Sequence, residues 1–219
     1  MTYERIKSIE RSPFPLTDRL NLVLAYAQQK PTTLVSVYSF VNPKTRVSNL
    51  SEKTIRQAKK SITMAGLAYH ANERETIRCR NWNGGGTHDV DLVEMIAGKD
   101  SRTVDAAMQA YEEGNERAMG RYLGFPETAI QAYLGERQPF MGVIAPANHP
   151  IDMFTGFVFS RDHWKEEFCD TSVRWHDTVK RLSPALYREA IKRTKNEKQT
   201  KSNLFWRDEY LFQNDYFLS

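Results

Sequence analysis

The chain has 219 residues, 40% of them hydrophobic and 26% charged, which is enough apolar surface for one sizeable core or for two small lobes sharing an interface. Its formal charge is only +4, from 31 basic and 27 acidic residues interspersed along most of the sequence, so composition does not point to a strongly basic nucleic-acid surface. Met1–Arg11 carries several charges and no apolar stretch of signal-peptide length, and no apolar run approaches the roughly 20 residues that span a bilayer; the expectation is a soluble, cytoplasmic protein without membrane contact.

Thr17 is placed to cap a helix running to about Lys30, with Leu20, Val23, Leu24 and Ala27 on one face and Pro31 as its stop. Thr33–Val41 is rich in β-branched and aromatic residues and closes on the turn pair Asn42-Pro43, which reads as a buried strand. Ser51 caps a second helix, to about Tyr69, with Leu50 and Ile55 as a hydrophobic staple and Ile55, Ala58, Ile62 and Ala65 at core spacing. Thr76–Trp82 reads as another strand, Ile77 and Cys79 facing one way and Arg78 and Arg80 the other. A connecting helix of this length permits a parallel βαβ crossover. After Gly84-Gly85-Gly86 the pattern turns helical. Val90–Ala97 reads as a short helix stopped by Gly98, and Val104, Met108, Tyr111, Ala118 and Tyr122 mark the apolar side of a longer one ending at Gly124.

Gly124 and Pro126 make the sharpest local signal in the chain. Glycine closes the carbonyl end of one helix in the left-handed conformation, and proline suits the first turn of the next. Beyond Leu134 the segment Gly135–Phe159 is proline- and glycine-rich, with Phe157-Val158-Phe159 as a short candidate strand. Ser160 is placed to cap a helix bearing Trp164, Phe168, Trp175, Val179 and Leu182, and Ser183-Pro184 restarts the chain as a helix through about Lys192. Lys192–Asn203 reads as a frayed helix end or solvated linker. The fold expected is α+β and helix-rich: a small βαβ-like lobe over 1–98 packed on a helical lobe over 99–219, or both as one continuous domain.

No catalytic signature stands out. The strand–glycine–helix order around Asn83–Thr87 suits a phosphate loop, but Asp89 and Asp91 would occupy the positive end of the expected helix, and neither a Walker loop nor GxGxxG is present; a turn is the better reading. Residues 117–134 have the spacing of a DNA-binding helix–turn–helix. The would-be recognition helix, however, offers Glu127, Thr128, Gln131 and Ala132 outward and no cation before Arg137, which leaves nucleic acid as the less favoured partner. The same residues, Leu123-Gly124-Phe125-Pro126-Glu127-Thr128-Ala129-Ile130, resemble the Leu-Gly-Tyr-Pro-x-Cys-Cys-Val turn of some uncharacterised prokaryotic proteins, in which a proline-rich stretch and a helical pair like Ser160–Ile191 follow. The resemblance covers the second half of the chain and implies a shared fold. Thr128 and Ala129 stand where the paired cysteines would be, so no thiol or metal role is carried over.

Histidines and carboxylates recur at His149, Asp152, Arg161-Asp162-His163 and Arg174–Asp177, without HxxxH or HExxH spacing. Helix-start capping and surface histidines are the simpler reading, and a metal-assisted hydrolase using His149, Asp152 and His176 is the more remote one. Cys79 and Cys169 read as two separate thiols. No catalytic residue, metal ligand or cofactor is assigned. The leading expectation is an intracellular binding protein with a pocket between the lobes, walled by the Gly124–Pro126 corner and the Asn148–Asp152 loop. Its candidate lining is Arg121, Gly124, Phe125, His149, Asp152, Arg174 and His176, with Arg121 and Arg174 holding a small anionic molecule. The aromatic residues of Phe205–Leu218 are expected to dock on the body or on a second copy of the chain as a homo-oligomer.

Overall fold

The computed structural model describes residues 2–80, 87–142, 150–154 and 156–199. In chain order the elements are helices α1 (Thr2–Glu10) and α2 (Leu16–Tyr26), strand β1 (Thr32–Phe40), helix α3 (Glu52–Met64), and strands β2 (Ala68–Ala71), β3 (Glu75–Arg80) and β4 (Thr87–Gly98). Helices α4 (Ser101–Glu112), α5 (Glu116–Tyr122) and α6 (Glu127–Tyr133) follow, then a 3-10 turn at Pro150–Phe154. The C-terminal part is a nearly unbroken helical run: α7 (Trp164–Glu167), a π turn (Phe168–Val173), α8 (Arg174–Leu182) and α9 (Pro184–Gln199).

This is an α+β fold, and its sheet is antiparallel. β4 lies in the middle, with β1 on one side and β2 and β3 on the other. β1 and β2 run in the same direction and are joined through α3, so the βαβ-like unit exists in split form, with β4 lying between its two strands rather than the strands pairing directly. β2 and β3 form an interrupted partner for β4. Ala71 stands opposite Met95 and Glu75 opposite Leu92, so four steps on one side match three on the other, the signature of a bulge.

The expected helix at Val90–Ala97 is instead the heart of β4. Val90, Val93 and Ala97 do fall at helical spacing, but the stretch is also a nearly continuous apolar run, which suits a strand covered on both faces equally well. Partners on both edges decide for the strand. Its acidic residues are then answered from the flanks: Arg46 (2.6 Å) and Arg78 (3.1 Å) pair with Asp89, and Arg74 pairs with Asp91 at 2.6 Å with Thr76 also donating to it. These contacts hold both aspartates below the usual carboxylate range, with the Arg78 and Arg74 hydrogen bonds as the largest causes.

Val35, Val37, Val93, Met95 and Ala97 pack into a core shared with Leu20, Val23 and Leu24 of α2, Ile55 and Ile62 of α3, and Trp175, Val179 and Leu186 of the C-terminal helices. Ile96, with Leu34 against it, belongs to a smaller core of Val104, Ala107, Met108 and Met119. Residues from both sides of position 98 therefore share the larger core. The Asn83–Gly86 stretch and Phe205–Leu218 lie outside the described residues.

Several element ends move from where the sequence placed them. α2 begins after Pro15 without a cap from Thr17 and stops at Tyr26, because Gln28 turns the chain with φ 56°. α3 ends at Met64, and Gly66 at φ 72° frees the next residues to join the sheet as β2. The long helix expected to end at Gly124 is broken between α4 and α5, where Gly114 sits at φ 63° and the Asn115 side chain accepts the Ala118 N–H. Phe157–Phe159 forms no strand. Ser160 does not cap a helix: it is fully buried, and its N–H and hydroxyl both donate to Glu167, at 2.8 and 2.5 Å. Ser51 does cap α3, accepting from Thr54 N–H at 3.1 Å, and Ser183 does sit at the start of α9, accepting from Leu186 N–H at 3.4 Å.

Candidate functional site

The site grows out of the turn after α2. Gln29 and Lys30 both return their N–H groups to the Leu24 carbonyl, at 2.9 and 3.4 Å, which closes the helix and swings Lys30 back toward α2 before Pro31 releases the chain into β1. The Lys30 ammonium donates to Asn21 Oδ1 at 2.9 Å. It also lies 4.3 Å from the centroid of the Trp175 ring and 5.3 Å from that of Phe125. The residue is only 5% exposed. Burial pushes its pKa down to about 7, with the Asp18 carboxylate opposing part of the shift.

The corner at Gly124 is what brings Phe125 to the lysine. Gly124 has φ +77°, and a Cβ there would lie 3.2 Å from Lys30 Cα and 3.3 Å from Pro31 Cδ, so only a glycine lets the turn between α5 and α6 rest directly on the Lys30-Pro31 backbone. Thr32 Oγ1 fastens the arrangement from the other side by donating to the Tyr122 carbonyl at 3.0 Å. α8 supplies Trp175, 1% exposed, whose indole N–H has no acceptor among the described residues.

These groups border a cavity of about 100 Å³. α2 contributes Thr17, Asp18, Asn21 and Leu24, at spacings that place Thr17, Asn21 and Leu24 on one stripe. Asp18 also holds the outer edge of β1 by accepting the Ser36 N–H at 2.8 Å, on the side of the strand that β4 does not occupy. The sheet contributes Thr33, Leu34, Val35, Ser36 and Tyr38 of β1 and Val90, Leu92 and Glu94 of β4, successive β1 residues facing alternate sides of the strand. Glu94 is buried and accepts the Tyr111 hydroxyl; desolvation raises its pKa despite that hydrogen bond. Leu123 and Phe125 form one wall, and Met153, Phe154 and Gly156 another. The lining is therefore apolar and aromatic over most of its area, with an amine and two carboxyl groups set into it.

Of the residues expected at the site, Phe125 lines this cavity and Gly124 positions it. Arg121 and Arg174 do not converge on it. Arg121 is spent on Glu127 (2.9 and 3.2 Å) at the surface, beside the Arg117 pairs to Glu127 and Glu136, and Arg174 is exposed on α8. His176 bonds Asp177 at 2.9 Å and the Tyr187 hydroxyl at 3.2 Å, with its ring against Phe154, behind the cavity wall. Asp152 falls in the 3-10 turn, and His149 lies outside the described residues. Phe125 of the corner is thus in one wall, whereas the facing wall is Met153, Phe154 and Gly156 and not the expected Asn148–Asp152 loop, and the polar groups between the walls are different ones.

Sequence reasoning missed Lys30, Asp18, Asn21, Glu94 and the site role of Trp175. A faint signal existed in Asp18 and Asn21, two polar residues interleaved with the apolar positions of α2. Lys30 carries none, since a lysine at a helix end is ordinarily solvated. The helix–turn–helix surface is also accounted for internally: Thr128 donates to Glu167 at 2.6 Å, Gln131 accepts from Arg137 at 2.5 Å, and Ala129, Ile130 and Ala132 are buried. Among the described residues no three His, Cys, Asp or Glu side chains gather as a metal site, Cys79 and Cys169 form no disulfide, and no helix is long and apolar enough to cross a membrane. Compared with known proteins, the chain matches no family, no curated protein and no solved structure.

Proposed function

We propose that the chain is a small-molecule-binding protein whose ligand sits in the Lys30 cavity, with an apolar or aromatic body between Trp175, Phe125 and Phe154 and a neutral polar head toward Lys30, Asn21 and Asp18. The observation that carries this reading is the buried amine of Lys30 at a cavity wall. Withdrawing an ammonium from water is costly, and a core that needed only volume would hold an apolar side chain there, so a retained amine beside empty space marks a site rather than a structural filler. At about 100 Å³ the cavity is of the order of the ~150 Å³ that admits benzene, which sets the scale of the ligand at about one small ring. Among the described lining residues two carboxyl groups stand against one amine, which favours a neutral head over the anionic one expected from Arg121 and Arg174.

Saturation-transfer NMR with benzyl alcohol and benzoate as probes tests this. Benzyl alcohol is expected to bind the wild-type protein and to lose its signal in Phe125→Ala and Lys30→Met, with benzoate weaker. Equal signals in the wild type and both variants, or no binding of either probe, would overturn the reading. The partner proposed from Phe205–Leu218, a second copy of the chain, rests on the density of large apolar side chains in that segment.

A further inference from the structure

We propose that Lys30 is a nucleophilic amine that captures a small aldehyde or ketone in this cavity as an imine, an inference that rests on reading the cavity as a ligand site and names its ligand class. The geometry supports it in three ways. Among the described residues, Lys30 is the basic group of the cavity wall, its Nζ has one neutral acceptor, Asn21 Oδ1 at 2.9 Å, and no carboxylate lies within ion-pair distance to lock it as an ammonium. A neutral amine donating to Asn21 keeps its lone pair for a carbon electrophile. The Trp175 ring, whose face Lys30 covers, also carries an indole N–H without an acceptor among the described residues, a donor that a carbonyl or carbinolamine oxygen would satisfy.

The charged groups around the amine fit the same role. Asp18, on α2, lines the cavity and acts on Lys30 electrostatically; Glu94, on β4, lines the sheet side; α8 and the Gly124 turn present the aromatic rings of Trp175 and Phe125. With a pKa near 7, about half of the Lys30 side chains are free base at neutral pH, against fewer than about one in a thousand for a solvated lysine. The Nζ lone pair attacks the carbonyl carbon and the C=O π pair moves to oxygen. A proton passes from nitrogen to that oxygen, with the Asp18 carboxylate as the acceptor and donor lining the cavity. The carbinolamine then expels water as the C=N bond forms. The net change is one amine and one carbonyl to one imine and one water, with no oxidant, reductant or further reactant.

The test is reductive trapping. The full-length protein is treated at pH 7 with benzaldehyde, about as large as the cavity admits, and sodium cyanoborohydride, and benzylated lysines are mapped by peptide mass spectrometry with and without excess benzyl alcohol. Lys30 is expected to be modified about tenfold or more faster than the average of the other lysines, and benzyl alcohol is expected to suppress that site alone. Lys30→Arg removes the fast site. Because the readout is the wild-type chain's own labelling pattern, a variant that folds poorly leaves the result intact. If benzyl alcohol binds in a Lys30-dependent way but Lys30 is labelled no faster than the other lysines, the imine is overturned and the ligand site stands. If neither binding nor selective labelling is found, both fall.

Discussion

Replacing Lys30 by methionine keeps most of the side-chain volume and removes the amine, so the difference between the two proteins isolates the cost of burying a base. The folded protein holds this lysine at a pKa of about 7, through burial, against an ordinary value of 10.5. Between those values the unfolded chain binds a proton that the folded one releases, so the lysine's contribution to stability rises with pH across that window. Below pH 7 the penalty is fully present, and the difference converts to about 5 kcal/mol at roughly 1.4 kcal/mol per pH unit. At pH 9 about 2 kcal/mol of it remains. The advantage of Lys30→Met over the wild type should therefore shrink by about 2–3 kcal/mol between pH 6 and pH 9. Urea denaturation of both proteins at the two pH values reads this directly, since the titrating groups that do not face Lys30 are common to both and cancel. Parallel stability profiles would show that the amine is solvated or firmly ion-paired, and would remove the electrostatic basis of the site.

Gly124→Ala and Gly135→Ala both place a Cβ on a residue with φ near +76°, at about 1–2 kcal/mol each, but only the first meets backbone, at 3.2 Å, whereas nothing lies within 4 Å of the second. Thermal melts should show Gly124→Ala to be the more destabilising of the two, and equal melting temperatures would refute the close approach of the turn to Lys30. Glu167→Gln exchanges a carboxylate that accepts from Thr128 Oγ1, Ser160 N–H and Ser160 Oγ for a group with one acceptor and two donors, which should cost about 1–3 kcal/mol in chemical denaturation; an unchanged midpoint would show that the network has other partners. Truncation after Asn203 should lower the melting temperature or dissociate an oligomer, read by a melt and by light scattering, and an unchanged mass and melt would remove the docking role of Phe205–Leu218.

What the sequence by itself determined is local. Ser51, with its hydroxyl three residues from Thr54 N–H, caps α3, and the β-branched run Thr33–Val41 forms β1, shifted by one residue to Thr32–Phe40. Gly124 is in the left-handed conformation and ends its helix as expected, because a positive φ is a property of a few neighbouring residues. Such signals are complete within one turn of chain. β4 was not legible in this way, since its residues satisfy the period of a helix as well as the requirements of a central strand, and only the presence of β1 on one edge and β2 and β3 on the other decides between them. The same holds for the site. Lys30, Phe125 and Trp175 lie far apart in the chain, and each alone reads as a helix end, a turn residue and a core aromatic. Tertiary packing withdraws the amine from water, sets two rings against it and leaves space beside it, and the chemistry of a low-pKa lysine exists only in that combination.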